Sequence, residues 1–218
     1  LLSTLIIFYS VLRSFFFLLK DRPNLVFGMG GYSSFPVCIA AKILRIPFII
    51  YENNLYIGKA NKYLLPYAKK IFVSYEELQG INKKYQTKIK VTGNIIRKEI
   101  LNFEVKSDSK ETYEKLKILI LGGSQAAKIF AEKLPKIFKE CKDAEISFKI
   151  YQQCLPEQNK FLTSFYEDLN IDFEIFNFTN NILDYFSKIN LAITRSGSSM
   201  LAELINARIP FISVPLPS

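Results

Sequence analysis

Short apolar runs alternate with amphipathic stretches along almost all of the 218 residues, and the turns after those runs are often small and glycine-bearing. The clearest instance lies late in the chain. Ile189 to Ile193 is an apolar run that reads as a buried strand, Arg195 to Ser199 is a small polar turn, and Met200 to Ala207 reads as a helix. A strand, tight turn and helix in that order present backbone N–H groups at a helix N-terminus, where phosphate is favoured. Arg195 adds a fixed positive charge at the mouth of the turn. Glu203 sits on the first or second helical turn, where a carboxylate reaches the two hydroxyls of a ribose. A turn for a diphosphate and an acid for a ribose suggest a nucleotide-sugar site. The same residues also fit a plain helix capped by serines with Glu203 solvated, and the local pattern leaves both readings open.

The motif recurs. Leu25 to Phe27, Pro47 to Tyr51, Lys70 to Val73 and Ile89 to Thr92 read as strands, with helices over Val37 to Leu44 and Gly58 to Leu65. After a charged, serine-rich, aperiodic stretch the pattern restarts. Strands are expected at Leu116 to Leu121, Ile146 to Ile150, Phe173 to Phe178 and Pro210 to Val214. The helices between them run from the Gly122-Gly123 turn to about Cys141, then over Pro156 to Leu169 and Ile182 to Lys188. Strict β/α alternation implies parallel sheets with right-handed crossovers. The fold class is therefore α/β, with two Rossmann-like domains facing a cleft: residues 1–97, a connection over 98–115, and residues 116–218.

Composition narrows the chemistry. There is no histidine, which removes the usual general base and any Ser-His or Cys-His pair. The three cysteines are far apart in sequence and show no zinc or CxxC spacing, so reduced thiols in a cytoplasmic protein are expected. No Asp-x-Asp motif appears, and neither a metal nor a cofactor is expected. Residues 1–115 hold 18 Lys+Arg against 9 Asp+Glu, whereas residues 116–218 hold 11 of each. The first half should therefore face something anionic, such as membrane lipid or a pyrophosphate. Nucleic acid ranks last, because no RNA-binding aromatic motif is present.

Leu1 to Lys20 is a helix of aliphatic and aromatic residues in which Ser3, Ser10, Arg13, Ser14, Lys20 and Asp21 recur at helical spacing. Its apolar face, with Phe8, Leu12, Phe15, Phe16 and Leu19, is wider than a core contact needs. It reads first as an interfacial or part-buried helix. A core helix and a spanning helix are the rivals, and Arg13 counts against spanning.

Taken together, Gly28-Met29-Gly30-Gly31-Tyr32, Glu52-Asn53-Asn54, Gly93-Asn94-x-x-Arg97, Gly122-Gly123-Ser124-Gln125 and Arg195-Ser196-Gly197 with Glu203 resemble the MurG family in order and spacing. That resemblance implies a GT-B fold and an inverting, metal-independent glycosyltransferase, peripheral on the cytoplasmic face of the bacterial inner membrane. It moves GlcNAc from UDP-GlcNAc to the C4 hydroxyl of lipid I, giving lipid II. It implies that Glu203 holds the ribose, and that Ser198, Ser199 and Met200, continuing into Leu201 and Ala202, present backbone to the diphosphate. Asn54, Arg97, Ser124, Gln125, Thr179 and Arg195 join them around the donor. Gly28, Gly30, Gly31 and Tyr32 would face the acceptor pyrophosphate, and Glu52 is the candidate base. Tyr51 stands where the family has histidine, and Ala126 where it has glycine. The family's first glycine-rich loop would lie before Leu1 and its glutamine-rich segment beyond Ser218, so an inactive fragment of a longer enzyme is expected. The rivals are a UDP-GlcNAc 2-epimerase of the same fold and a catalytically incomplete, membrane-bound nucleotide-binding module.

Overall fold

The computed structural model describes residues 2–103 and 115–215, with the backbone alone at 2, 3 and 123–127. It contains two compact units, Leu1–Ile95 and Ile96–Ser218. In the first, α1 (Leu2–Asp21) leads into β1 (Val26–Gly28), α2 (Gly31–Ile43), β2 (Phe48–Glu52), α3 (Lys59–Leu64), β3 (Ile71–Val73) and β4 (Ile89–Val91). The strands form a parallel sheet in the order β1-β2-β3-β4. Phe48, Ile50, Ile71 and Val73 pack against Cys38, Ala41, Leu64 and Leu18 of the helices. A glycine is needed at the end of β1, because a Cβ on Gly28 would lie 2.7 Å from Cys38 Sγ. The same burial pushes the Cys38 thiol up to about 11, so it is an inert core group.

The second unit carries α4 (Lys98–Leu101), β5 (Leu116–Leu121), α5 (Gly123–Asp143), β6 (Phe148–Gln153), α6 (Asn159–Asp168), β7 (Asp172–Phe176), α7 (Leu183–Phe186), β8 (Leu191–Arg195), α8 (Ser198–Asn206) and β9 (Phe211–Val214). Its sheet is also parallel, in the order β7-β6-β5-β8-β9. The central strand is buried on both faces, as a parallel sheet covered by helices requires. Ile118 and Ile120 face one cluster with Phe130, Phe138 and Leu162. Leu119 and Leu121 face another with Phe186, Ala192 and Leu204.

Several boundaries differ from the sequence reading, each for a local reason. α2 begins at Gly31 rather than Val37. Pro36 reads as a boundary, but at the sixth helical position it forfeits only one intrahelical hydrogen bond. β6 runs three residues further than expected because Gln152 and Gln153 pair with Ile175 and Phe176 of β7. Gln152 is fully buried; its Oε1 accepts a hydrogen bond from Tyr166 Oη at 2.6 Å, and its Nε2 has no hydrogen-bond partner among the described residues. Of the connection expected over 98–115, residues 98–101 form α4, and 104–114 lie outside the described residues. α4 belongs with the second unit: Ile100 is buried in the cluster around Leu204, and Asn206 Nδ2 donates to Ile100 O at 2.8 Å.

α1 is part-buried. Phe15 and Leu18 enter the core, whereas Leu5, Phe8, Tyr9, Leu12, Phe16 and Phe17 are exposed. Ser10 and Ser14 turn their hydroxyls back onto the carbonyls of Ile6 and Ser10. Their polarity is thus spent within the helix, which leaves the solvent-facing side the more apolar one. Among the described residues no helix is long and apolar enough to cross a membrane.

Four helices end in the same way without glycine. Arg45, Glu145, Asn170 and Arg208 have φ of 59°, 59°, 51° and 54°. Each is followed by an isoleucine whose N–H reaches back five residues, as in Ile46 to Ala41 O, Ile146 to Cys141 O, Ile171 to Tyr166 O and Ile209 to Leu204 O. These are Schellman closures, and the left-handed residue at their centre carries a steric cost of about 1–2 kcal/mol that glycine escapes. Glycine's larger unfolded entropy offsets part of that gain. We expect Arg208→Gly to stabilise the protein by about 0.5–1 kcal/mol, read as a higher urea midpoint at unchanged slope.

Candidate nucleotide-sugar site

The second sheet reverses its winding at β5. The chain steps outward through β6 and β7, then returns to the other side for β8 and β9. Leu121 therefore lies opposite Thr194, and the carboxyl ends of β5 and β8 are adjacent. Thr194 Oγ1 donates to Leu121 O at 3.3 Å across that junction. The turn at Gly122 feeds α5, and the turn from Arg195 to Gly197 feeds α8. Two helix N-termini thus start beside one another at a topological switch point, where open α/β sheets bind ligands and where aligned peptide dipoles favour an anion.

The turn after β8 is tightly built. Gly197 N donates to Arg195 O at 2.7 Å, Ser196 N donates to Val214 O, and the Ser196 and Ser213 hydroxyls share a 2.7 Å hydrogen bond. Helical bonding begins with Leu201 N donating to Gly197 O, so Ser198, Ser199 and Met200 form the opening turn. Met200 and Ala202 direct their side chains into the core, which limits any ligand contact there to the backbone. Arg195 Nη2 is buried with no hydrogen-bond partner among the described residues, a donor that an anion would satisfy. Ser124 and Gln125 lie on the first turn of α5; their side chains are outside the described residues. Thr179 follows β7, where its Oγ1 accepts from Asn181 N at 3.1 Å.

Glu203 is buried, and Arg97 grips it. Arg97 Nε donates to Glu203 Oε1 at 2.9 Å and Nη2 donates to Oε2 at 2.7 Å. This bidentate pair joins residues 106 apart in sequence, and the hydrogen bond from Asn206 to Ile100 holds α4 in place to form it. The hydrogen bonds to Glu203, strengthened by its charge, hold the Arg97 guanidinium above its ordinary pKa. The solvated Glu203 of the plain-helix reading is therefore ruled out. Two residues expected to touch the donor separately instead form one unit.

In the first unit Gly30 has φ 79° and Gly31 φ 74°, a left-handed backbone that suits glycine. The turn sets Tyr32, 82% exposed, on the first turn of α2. Glu52, expected as a base, is 4% exposed and fully engaged. Its Oε1 accepts from Asn54 N and Nδ2 at 3.2 and 2.9 Å, and its Oε2 accepts from Gly58 N and Asn61 Nδ2 at 2.8 and 3.0 Å. A carboxylate so occupied organises the backbone after β2. Asn54 is thereby held by Glu52. Asn61 is a residue that motif reading passes over, and Tyr51 one that it marks only as a departure from the family. Asn61 Nδ2 also donates to Tyr51 O at 2.9 Å. Tyr51 Oη shares a 2.7 Å hydrogen bond with Ser74 and accepts from Ile95 N at 3.1 Å, tying the end of β2 to the segment after β4. The departure from histidine at position 51 was the available signal. Among the described residues no group of three or more His, Cys, Asp or Glu converges as a metal site would.

Glu52→Gln should destabilise the protein by about 2–4 kcal/mol, because an amide nitrogen faces donors that a carboxylate oxygen accepted. Chemical denaturation of the two forms checks this. A large loss of turnover at unchanged stability would instead restore the base assignment.

The model of the glycosyltransferase family 28 N-terminal domain matches residues 1–73, and that of the family 28 C-terminal domain matches residues 117–218. A Pelagibacter ubique protein named UDP-N-acetylglucosamine--N-acetylmuramyl-(pentapeptide) pyrophosphoryl-undecaprenol N-acetylglucosamine transferase is 35% identical over 217 residues, covering 100% of this chain and 60% of its own. A Rickettsia canadensis protein of the same name is 36% identical, covering 96% of this chain and 59% of its own. The crystal structure of Acinetobacter baumannii MurG matches at TM-score 0.69 and 26% identity, over 97% of this chain and 58% of that one. A Staphylococcus aureus MnaA–UDP structure shares the fold at TM-score 0.67 and 16% identity, over 95% of this chain and 62% of that one. The chain thus spans about 60% of the length of the curated relatives it matches.

Proposed function

The chain belongs to glycosyltransferase family 28, and we propose that it is the greater part of an enzyme that transfers GlcNAc from UDP-GlcNAc to lipid I. The observation that carries this reading is the switch point between β5 and β8. There two helix N-termini and the unpaired Arg195 Nη2 lie at one end of the sheet, and the Glu203 carboxylate lies on the second turn of α8. The names of the relatives specify this donor and acceptor for those proteins. In the reaction the oxygen of the acceptor C4 hydroxyl bonds to C1 of the sugar, the bond from C1 to the β-phosphate oxygen breaks so that UDP departs with its electron pair, and the hydroxyl proton is released to water. Charge grows on the leaving diphosphate, and the positive ends of α5 and α8 together with Arg195 stabilise it where it develops. The amides of the opening turn of α8 and the first turn of α5 orient the diphosphate, and Glu203 accepts from the ribose hydroxyls. On this reading the backbone at Thr179, after β7, contacts the base. In the first unit the turn of Gly28, Gly30 and Gly31 with Tyr32 receives the acceptor pyrophosphate, and Glu52 positions Asn54 for the sugar.

Each charge-assisted hydrogen bond to the ribose contributes roughly 1.5–3 kcal/mol. Glu203→Gln should therefore weaken UDP-GlcNAc binding by about tenfold to several hundredfold. A 2′-deoxyribose donor should lose less. Calorimetric titration of both donors against both forms of the full-length gene product tests this, and an unchanged donor affinity in Glu203→Gln rejects the nucleotide-sugar reading.

We further propose that the protein acts peripherally on the cytoplasmic face of the inner membrane, through the exposed apolar side of α1. Lys20 and Arg22 at its end add to the positive balance of the first half. Each basic residue near an anionic surface contributes on the order of 1 kcal/mol. Changing Phe8, Phe16 and Phe17, all exposed, to Ser should reduce co-sedimentation with anionic vesicles by about tenfold or more, with no loss of thermal stability. Changing the inward Phe15 should lower stability instead.

A further inference from the structure

The grip of Arg97 on Glu203 is a fork-to-fork contact. Nε and Nη2 donate two parallel hydrogen bonds, one to each carboxylate oxygen. The 2′ and 3′ hydroxyls of a ribose donate in the same way, as two adjacent donors side by side. A carboxylate presents only one such edge. Glu203 is nearly enclosed, its side chain 11% exposed, so no second edge is offered to a ligand. Arg97 is 49% exposed and its segment is tied down at Ile100 rather than at the guanidinium, so the side chain is free to swing.

We propose that Arg97 occupies the ribose edge of Glu203 in the unliganded protein and must leave it when a nucleotide binds, so that this side chain makes ribose recognition conditional on a diphosphate. The inference rests on Glu203 being the ribose acid. A guanidinium displaced from a carboxylate needs another anion. A nucleoside brings none, and a nucleoside diphosphate brings one to the same end of the sheet, where the helix N-termini already favour it. The exchange costs little with UDP and is uncompensated with uridine. The site therefore rejects nucleosides and accepts nucleoside diphosphates through competition for one carboxylate edge.

The test uses the full-length gene product with uridine, 2′,3′-dideoxyuridine and UDP as probes, titrated by ligand-observed NMR or calorimetry. Arg97→Ala removes the competitor, so uridine should bind about two- to fivefold tighter than to the unaltered protein, the range set by a half-exposed ion pair. UDP should bind about tenfold or more weaker, having lost its guanidinium partner. Dideoxyuridine, which has no diol, should be unaffected. Arg97→Lys keeps the charge and loses the fork, so it should also tighten uridine while retaining part of the UDP affinity. If Arg97 instead merely holds Glu203 in position, both substitutions weaken uridine and the competition is overturned; unchanged uridine binding overturns it equally. Glu203→Gln separates the two levels. If it leaves uridine and UDP affinities unchanged, the ribose assignment itself fails. If it weakens both while Arg97→Ala fails to tighten uridine, only the competition fails.

Discussion

The reversal of strand order at β5 is the constraint on which the second unit depends. Had the chain continued to wind in one direction, β8 would have joined the far edge beside β7. Its turn would then lie some three strands, or about 15 Å, from the turn after β5. Because β8 lies against β5, with Leu121 opposite Thr194, the two turns share one crevice. The positive ends of the two helix dipoles then lie side by side at one end of the sheet rather than far apart. β5 is buried on both faces, with Ile118 and Ile120 to one side and Leu119 and Leu121 to the other, so helices must cover both faces of the sheet at this strand.

A buried carboxylate is costly unless its oxygens are satisfied, and the described residues include two, Glu52 and Glu203, in different settings. Glu52 is satisfied by four donors from its own loop, all within nine residues, so it is a local organiser of backbone. Glu203 is satisfied by one side chain from far away in sequence. Short-range amide donors cannot leave without unfolding the loop. A half-exposed arginine can leave by rotating about its side-chain bonds. The same chemical group is thereby a fastener at one position and an exchangeable contact at the other.

The alternation of strands and helices was legible because hydrophobic periodicity reports burial directly. The strand at 116–121 agrees with its sequence reading residue for residue. The boundaries were less legible where tertiary pairing or helix closure overrides local preference. Gln152 and Gln153 look like a strand's end until β7 is placed beside them. The helix ends carry no glycine signal, because Arg45, Glu145, Asn170 and Arg208 take the left-handed position that glycine usually marks. The recurrent isoleucine after each of those residues is the residual sequence trace of the four closures.

By itself the sequence determined that parallel α/β units would form and that small turns would sit at strand ends. These follow from local composition and spacing, which do not depend on where distant segments lie. Only the tertiary structure decided that Arg97 and Glu203 hold one another, that Glu52 accepts four hydrogen bonds from the residues that follow it, and that α1 turns Phe15 inward and Phe8, Phe16 and Phe17 outward. Each of these is a pairing across space. A carboxylate's partners and a helix's exposed side are set by which groups packing brings within about 3 Å, and spacing along the chain carries no record of that distance.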